Sequence, residues 1–346
     1  MHNCEIPIIG VRQIKMIEDT LSIQRANLLA DVAEMYYLEK MNQSQIAKKL
    51  RVDRSLISRM LTESWKNKIV EIYIRRPIPR DRKLENKLRT VLRLDNVLVT
   101  QCESIEKDAI LDGIGRAAAI LLKEYIKTQI TIGTTWGTSV NATIAAMENY
   151  LPPTNGRVVQ MVGALGAQRI EYNGTMMVQE LAQKIHGEAC FLNSPFYVDS
   201  ELTAQSLLNN SSISQTLRML DECNLALVGV GSIEPEYSSF YHASYVELGE
   251  IQSLIAQGVV GDVCGLHFDV NGNSAGDDFA KRCVTISREQ LMRIPVRFGV
   301  SGGEGKAKPI IGAARGKYIN VLVTESNTAE EILQYLSTSH NEKEIR

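Results

Sequence analysis

Little in these 346 residues is built for cross-linking, metal binding or membrane crossing. Cysteine is sparse: Cys4, Cys102, Cys190, Cys223, Cys264 and Cys283 stand far apart, with no C-x-x-C pair and no Cys/His cluster. That spacing excludes a zinc finger or ribbon and a dense disulfide framework. It fits a reducing cytosol, where a thiol in an apolar stretch such as Ala189-Cys190-Phe191-Leu192 packs as a small hydrophobe. No long apolar run is present. The richest, Ala109 to Leu122, is broken by Asp112 and Arg116 and is too short to span a bilayer. The first residues lack the apolar core and cleavage site of a secretory leader, so a cytoplasmic protein is expected. No cofactor fingerprint stands out, and no metal is expected.

Charge of neither sign dominates, with 38 Lys+Arg against 40 Asp+Glu, but the balance is uneven along the chain. Residues 1–80 carry 14 basic and 9 acidic side chains, and the remainder carries 24 and 31. A basic head on an acidic body predicts that only the head meets a polyanion. Residues 23–40 carry Ile23, Ala26, Ala30, Ala33 and Tyr37 at helical spacing. Asn42 is placed to cap a short second helix over 43–50, and a third is expected over 54–63 with Ile57, Met60 and Leu61 inward. Two short helices joined by Arg51-Val52-Asp53 form a helix-turn-helix pattern, with Ala47 at the close approach and Leu50, Val52 and Ile57 as its small core. Alternating residues over 69–74 read as the strand of a wing.

In that arrangement Arg54, Ser55, Ser58 and Arg59 would face outward, types that reach phosphates and base edges in a major groove. Gln43, Ser44, Gln45, Lys48 and Lys49 would lie along the DNA backbone. A three-helix bundle with a solvated basic face is the alternative. Arg51 stands where many such turns place a glycine. The run SQIAKKLRVDRSLISRMLTESWKNKIVEI resembles the winged-helix segment of the SorC family of bacterial transcriptional regulators, and the likeness continues through most of the remaining chain. The resemblance implies double-stranded operator DNA as one partner, a sugar-binding domain after the head, and a homo-oligomer, dimer or tetramer.

The proline-broken stretch 75–80 marks a boundary. The expected division is a DNA-binding unit over 1–78, a linker helix over 79–95 and an effector domain over 96–340. In the linker, Leu84, Leu88, Val91 and Leu92 form a stripe that either packs on the large domain or pairs two copies. Beyond residue 95 short apolar runs alternate with helical stretches: strands near 97–100, 129–133, 158–163, 225–231, 294–300 and 318–324, with helices between. The fold class is therefore α/β, a small winged helix-turn-helix domain plus a larger Rossmann-like parallel sheet with helices on both faces. Ligands of such sheets sit at the carboxyl ends of the strands.

The loops at those ends collect small and polar residues. Gly133-Thr134-Thr135-Trp136-Gly137-Thr138 enters a helix and could cradle an anion on N–H groups and hydroxyls. It has neither a Gly-Lys-Ser/Thr nor a G-x-G-x-x-G spacing, so ordinary turn chemistry is the alternative. Gly163 to Gly166, Gly229 to Ser232, Gly261-Asp262 through Asp269, and Ser301-Gly302-Gly303 through Lys306 are expected at the same edge. Carboxylates suit sugar hydroxyls and a lysine suits an acid group. The same segments are similar to the SorC sugar-binding domain, related in fold to sugar-phosphate isomerases and deaminases. The resemblance implies that Thr135, Gly137 and Thr138 hold a phosphate together with Lys306, while Asp262 holds hydroxyls. Trp136 and Ala164 depart from the family pattern and leave effector size and phosphorylation open. A sugar-phosphate isomerase or deaminase is the alternative function, yet none of His186, His242 and His267 stands in a base-plus-orienter arrangement. No catalytic residue is expected.

Overall fold

The computed structural model describes residues 9–70, 78–102, 104–148, 153–164, 174–242 and 246–344, with side chains from 23 to 338. Two compact units result, Met1–Pro77 and Ile78–Arg346.

In the smaller unit, helices Ile9–Tyr37, Gln43–Leu50 and Arg54–Lys66 enclose Leu29, Val32, Met35, Ile46, Ala47, Ile57, Met60 and Leu61. The second helix starts as its sequence dictates. Asn42 accepts from the Gln45 amide at 3.0 Å, and the Gln45 side chain accepts the Asn42 amide at 2.8 Å. The face expected of the first helix is corrected in part, since Ala33 is buried as expected and Tyr37 packs half-buried against the same core. Ile23 is 60% exposed, and the buried stripe is Leu29, Val32, Ala33 and Met35. Both stripes recur at helical spacing, but the second removes more apolar area from water than one made largely of alanines. Val52 is likewise exposed rather than part of the small core. The expected strand over 69–74 lies, beyond Val70, outside the described residues.

Arg51 takes the left-handed conformation, φ 55° and ψ 46°, and the Val52 amide then returns to the Ala47 carbonyl at 3.0 Å. This closes the helix at the cost of a backbone region that non-glycine residues avoid. Arg51→Gly should therefore stabilise this unit by about 0.5–1 kcal/mol, net of the extra freedom glycine has when unfolded. A urea midpoint that does not move, or moves down, would count against this.

The larger unit contains strands β1 (Asn96–Thr100), β2 (Thr131–Thr134), β3 (Arg157–Gln160), β4 (Glu188–Cys190), β5 (Leu225–Gly229), β6 (Gly231–Ser232), β7 (Val259–Val263), β8 (Leu266–Asp269), β9 (Val296–Val300) and β10 (Val321–Glu325). Seven form one parallel sheet in the order β1-β10-β9-β5-β2-β3-β4. Both faces are covered. Val97, Val99, Ala226 and Leu322 face one core, and Leu98, Ile132, Leu225 and Val323 face the other. That double burial is why these strands read as continuous apolar runs. Chain order runs from β2 outward through β3 to β4, and from β5 the other way through β9 to β10. The β2/β5 boundary is thus a topological switch point, where such sheets open a crevice.

Two features were not legible as strands. Glu188–Cys190 is a three-residue edge strand, and β6-β7-β8 form a small antiparallel sheet. The segment Gly261 to Asp269, expected as a ligand-facing loop, is the β7–β8 hairpin. Its turn residues Cys264 and Gly265 both have positive φ, 58° and 76°, the geometry that matches the twist of paired strands.

Helix Arg82–Leu92 buries Leu84, Leu88 and Leu92 in the same core as Val97 and Val99. Its anchor is Glu85, 5% exposed, which accepts two bonds from Arg80 at 2.8 and 2.9 Å and the Val99 amide at 3.1 Å. Glu85→Ala would strand the Arg80 guanidinium and a buried strand amide. It should destabilise the larger unit by about 2–3 kcal/mol, measured as a lowered denaturant midpoint. A loss under half that would show the clamp to be dispensable.

Candidate functional site

At the β2/β5 boundary lies a cleft whose walls come from several elements. Thr135 to Ser139 leave β2 and open the helix Thr138–Ala146. Gly229 to Gly231 end β5, Asp262, Cys264 and Gly265 come from the hairpin, and Lys306 opens the helix Ala307–Arg315. Glycine at the cap position 137 offers no side-chain oxygen, so the first-turn N–H groups of Thr138–Ala146 keep their capacity to bind an anion.

Asp262 and Lys306 are the charged pair of this cleft. Asp262 is 8% exposed and its Oδ2 accepts the Gly265 amide at 2.9 Å. Its other oxygen lies where a Cβ on Gly231 would stand, 2.0 Å away, so residue 231 must lack a side chain for the carboxylate to occupy this place. Lys306 is half-buried, and its Nζ donates to the Val230 carbonyl at 3.1 Å. Burial pulls the lysine down to about 8; Asp262 opposes this and Lys107 adds to it. Burial pushes the Asp262 carboxyl up, against His267, the Gly265 amide and Lys306. Burial thus works against both charged forms, and each group lessens that penalty for the other.

The glycine loop before Lys306 is fixed from behind. Glu325, fully buried at the end of β10, accepts the Thr328 amide at 2.8 Å and also the Thr328 hydroxyl. The Gly303 amide in turn donates to Thr328 Oγ1 at 2.9 Å.

Of the residues expected here, Thr135, Trp136, Gly137, Thr138, Asp262 and Lys306 meet in one cleft, and four others do not line it. Gly133 lies inside β2, where a Cβ would sit 2.6 Å from the Met161 sulfur. Thr134 is fully buried and donates to the Leu227 carbonyl at 3.2 Å. Gly163 packs on the Pro195 carbonyl, and the rest of its turn, 165 to 166, is outside the described residues. Asp269 closes its own β-turn, accepting the Asn271 and Asn273 amides at 2.9 and 2.8 Å. In each case local backbone demands, absent from a one-dimensional reading, claim the residue.

Trp136 lines the wall and packs edge-on against Phe196 at 5.6 Å and Phe240 at 5.5 Å. Its buried Nε1 has no hydrogen-bond partner among the described residues. Phe240 and Ser239 were missed by sequence reading. They sit on a one-turn helix, Ser239–His242, too short to show periodicity. His267 is buried between Phe240 and Phe279, and burial lowers its pKa, against Asp262 and the Gly265 backbone, so that the neutral ring is favoured.

In the smaller unit Ser44, Gln45, Lys48, Arg54, Ser55, Ser58 and Arg59 are all exposed and Gln43 is half-buried. Gln45 is engaged in the helix cap, which commits its side-chain oxygen. An Arg25–Glu63 ion pair at 2.6 Å ties the first helix to the third.

Residues 76–334 match the family model described as "Putative sugar-binding domain". The sorbitol operon regulator of Klebsiella pneumoniae is 28% identical over 311 residues, covering 89% of this chain and 98% of that protein. The deoxyribonucleoside regulator of Bacillus subtilis (strain 168) is 25% identical, covering 90% and 99%. The crystal structure of the full-length Klebsiella regulator superposes with a TM-score of 0.70 at 26% identity, over 89% of this chain and 98% of that one.

Proposed function

Since the chain belongs to the SorC family, whose sugar-binding domain spans residues 76–334 here, we propose that it is a transcriptional regulator controlled by a phosphorylated sugar or polyol. The observation that carries this is the meeting of Lys306, Asp262 and the Thr135–Ser139 loop in one cleft at the sheet's switch point. The lysine and the helix N-terminus of Thr138–Ala146 take the anionic group, and the carboxylate takes hydroxyls. The smaller unit, with Arg54, Ser55, Ser58 and Arg59 on its third helix, binds operator DNA, while Gln43, Ser44, Gln45 and Lys48 lie along the phosphates. The protein acts in the cytoplasm as a homo-oligomer, because paired half-sites need paired heads.

The regulator reading is favoured over an isomerase or deaminase by the state of the buried histidine. A general base must lie within reach of the reacting carbon, and His267 is buried between Phe240 and Phe279 and does not line the cleft. Effector control requires that the ligand bind two states of the protein with different affinity. The test is a gel shift on the DNA upstream of the chain's own gene, with and without a panel of sugar and polyol phosphates. Salt-dependent binding that one compound shifts is expected. No binding at any salt concentration, or turnover of the compounds, would overturn the reading.

A further inference from the structure

The third helix of the smaller unit, Arg54–Lys66, has two unlike faces. Ile57, Met60, Leu61 and Ser64 are buried against the other helices, while Arg54, Ser58, Arg59 and Thr62 are exposed on the opposite side. Seven residues of α-helix make about two turns and eleven make about three, so positions 54, 58 and 65 fall close to one line. Trp65 therefore stands on the face of Arg54 and Ser58, about 10 Å further along the axis than Ser58. It is 64% exposed.

A lone exposed apolar residue such as Leu38 calls for no explanation. Trp65 differs in its surroundings. The helix that carries it brings three cations, Arg54, Arg59 and Lys66. Its one carboxylate, Glu63, is taken up by Arg25, which donates to both carboxylate oxygens at 3.2 and 2.6 Å. Asp53 precedes the helix at the far end. An indole set among cations and hydroxyls, with the nearby acid already paired, complements a polyanion rather than an apolar protein surface. It also supplies what the cations lack, a flat apolar ring joined to one N–H donor. Those two features together suit a deoxyribose and its phosphate. With the first turns of the helix at base edges, a straight helix leaves the groove floor as the duplex curves away, so residue 65 meets the groove wall.

Resting on the reading of the smaller unit as the DNA-binding unit, we propose that Trp65 is an uncharged DNA contact. Its ring packs on the sugar-phosphate backbone at the edge of the major groove, and its Nε1–H donates to a phosphate oxygen. A contact of this kind adds affinity without releasing a counterion, and it carries no sequence information. Its part is to fix the register of the third helix in the groove, while the arginines nearer the start of the helix read or steer.

The experiment is a set of binding isotherms for the full chain across a salt series, on the DNA upstream of its own gene and on random duplex. Trp65→Ala should weaken both duplexes about tenfold and leave the slope of log affinity against log salt unchanged, because no cation is removed. Trp65→Phe keeps a ring and lacks the N–H, and should fall between the two. Trp65→Lys should recover affinity at low salt and steepen the slope by about 1, since a cation then faces a phosphate. The phenylalanine and lysine variants carry the test even if the alanine variant loses stability. As a second measurement, Trp136→Phe leaves Trp65 as the chain's one indole, and acrylamide quenching of its emission should fall when duplex is added. Full affinity in Trp65→Ala where Arg54→Ala and Arg59→Ala are impaired would overturn the contact and leave the DNA-binding unit standing. Quenching that DNA leaves unaltered would do the same. A loss confined to the upstream DNA would make the indole a reader of base edges, and a changed oligomeric state would place it between copies; either overturns the backbone contact. A wild-type chain that binds no DNA would remove both readings.

Discussion

Lys306→Ala should weaken binding of a phosphorylated effector about 100-fold, while the dephosphorylated counterpart changes little. The Lys306 side chain is half-buried and forms no ion pair among the described residues, its Nζ donating to the Val230 carbonyl at 3.1 Å. It is therefore free to make charge-assisted bonds to phosphate oxygens, each about 1.5–3 kcal/mol in such a place. Lys306→Met keeps the stem that fills the wall and separates lost charge from lost packing. The pH dependence follows from the same group. Because the lysine loses its proton near 8, affinity for a phosphate should fall as pH rises through that value. A phosphate monoester gains its second charge near pH 6, so tightest binding is expected between about 6 and 8. In Lys306→Met the alkaline limb should vanish. For folding alone the sign is opposite. The folded lysine sheds its proton near 8 and the unfolded one at about 10.5, so its contribution to stability improves as pH rises across that window. Equal loss of phosphorylated and dephosphorylated ligands, or an alkaline limb that survives in Lys306→Met, would remove Lys306 from the anion site.

Arg54→Ala and Arg59→Ala should each cost operator affinity by about 1–3 kcal/mol if the guanidinium reads a base edge. If it instead contacts phosphate, each should weaken all DNA alike and lower the salt slope by about 1. Both residues are exposed on the third helix, and neither makes an ion pair among the described residues, so folding should be undisturbed. Arg25→Ala is the contrast. It breaks the pair with Glu63 that joins two helices, and should alter stability without changing the salt slope. Binding isotherms from 50 to 200 mM salt with operator and random duplex distinguish these outcomes. Unchanged affinity in the double variant would mean that DNA is bound elsewhere.

The alternation of apolar runs and helical stretches sufficed to place six of the seven parallel strands, because strands buried on both faces must be apolar throughout. β4 escaped, being three residues long at an edge. The β7–β8 hairpin escaped because its turn depends on positive φ at Cys264, which composition does not reveal. The effector loops were legible as clusters of glycine, threonine and charge, but their sorting was not. Asp262 and Asp269 flank the same hairpin, yet one faces the cleft and the other caps its own turn. Gly133 and Gly163 carried the same signal as Gly137, and only the packing of Met161 and Pro195 shows that they serve the backbone.

In the head, residue spacing determined the two short helices, their cap at Asn42 and the turn at Arg51, all of which depend on neighbours within a few positions. Which stripe of the first helix turns inward was decided by what the other two helices offer it. The basic head, the parallel sheet and the lysine–aspartate–threonine vocabulary of the cleft are therefore properties of the amino-acid order. The meeting of Lys306, Asp262, Phe240 and Trp136, separated by up to 170 positions, belongs to the tertiary structure. Local propensity acts over one turn of chain. A site at a switch point is made by strand order, which only long-range packing settles.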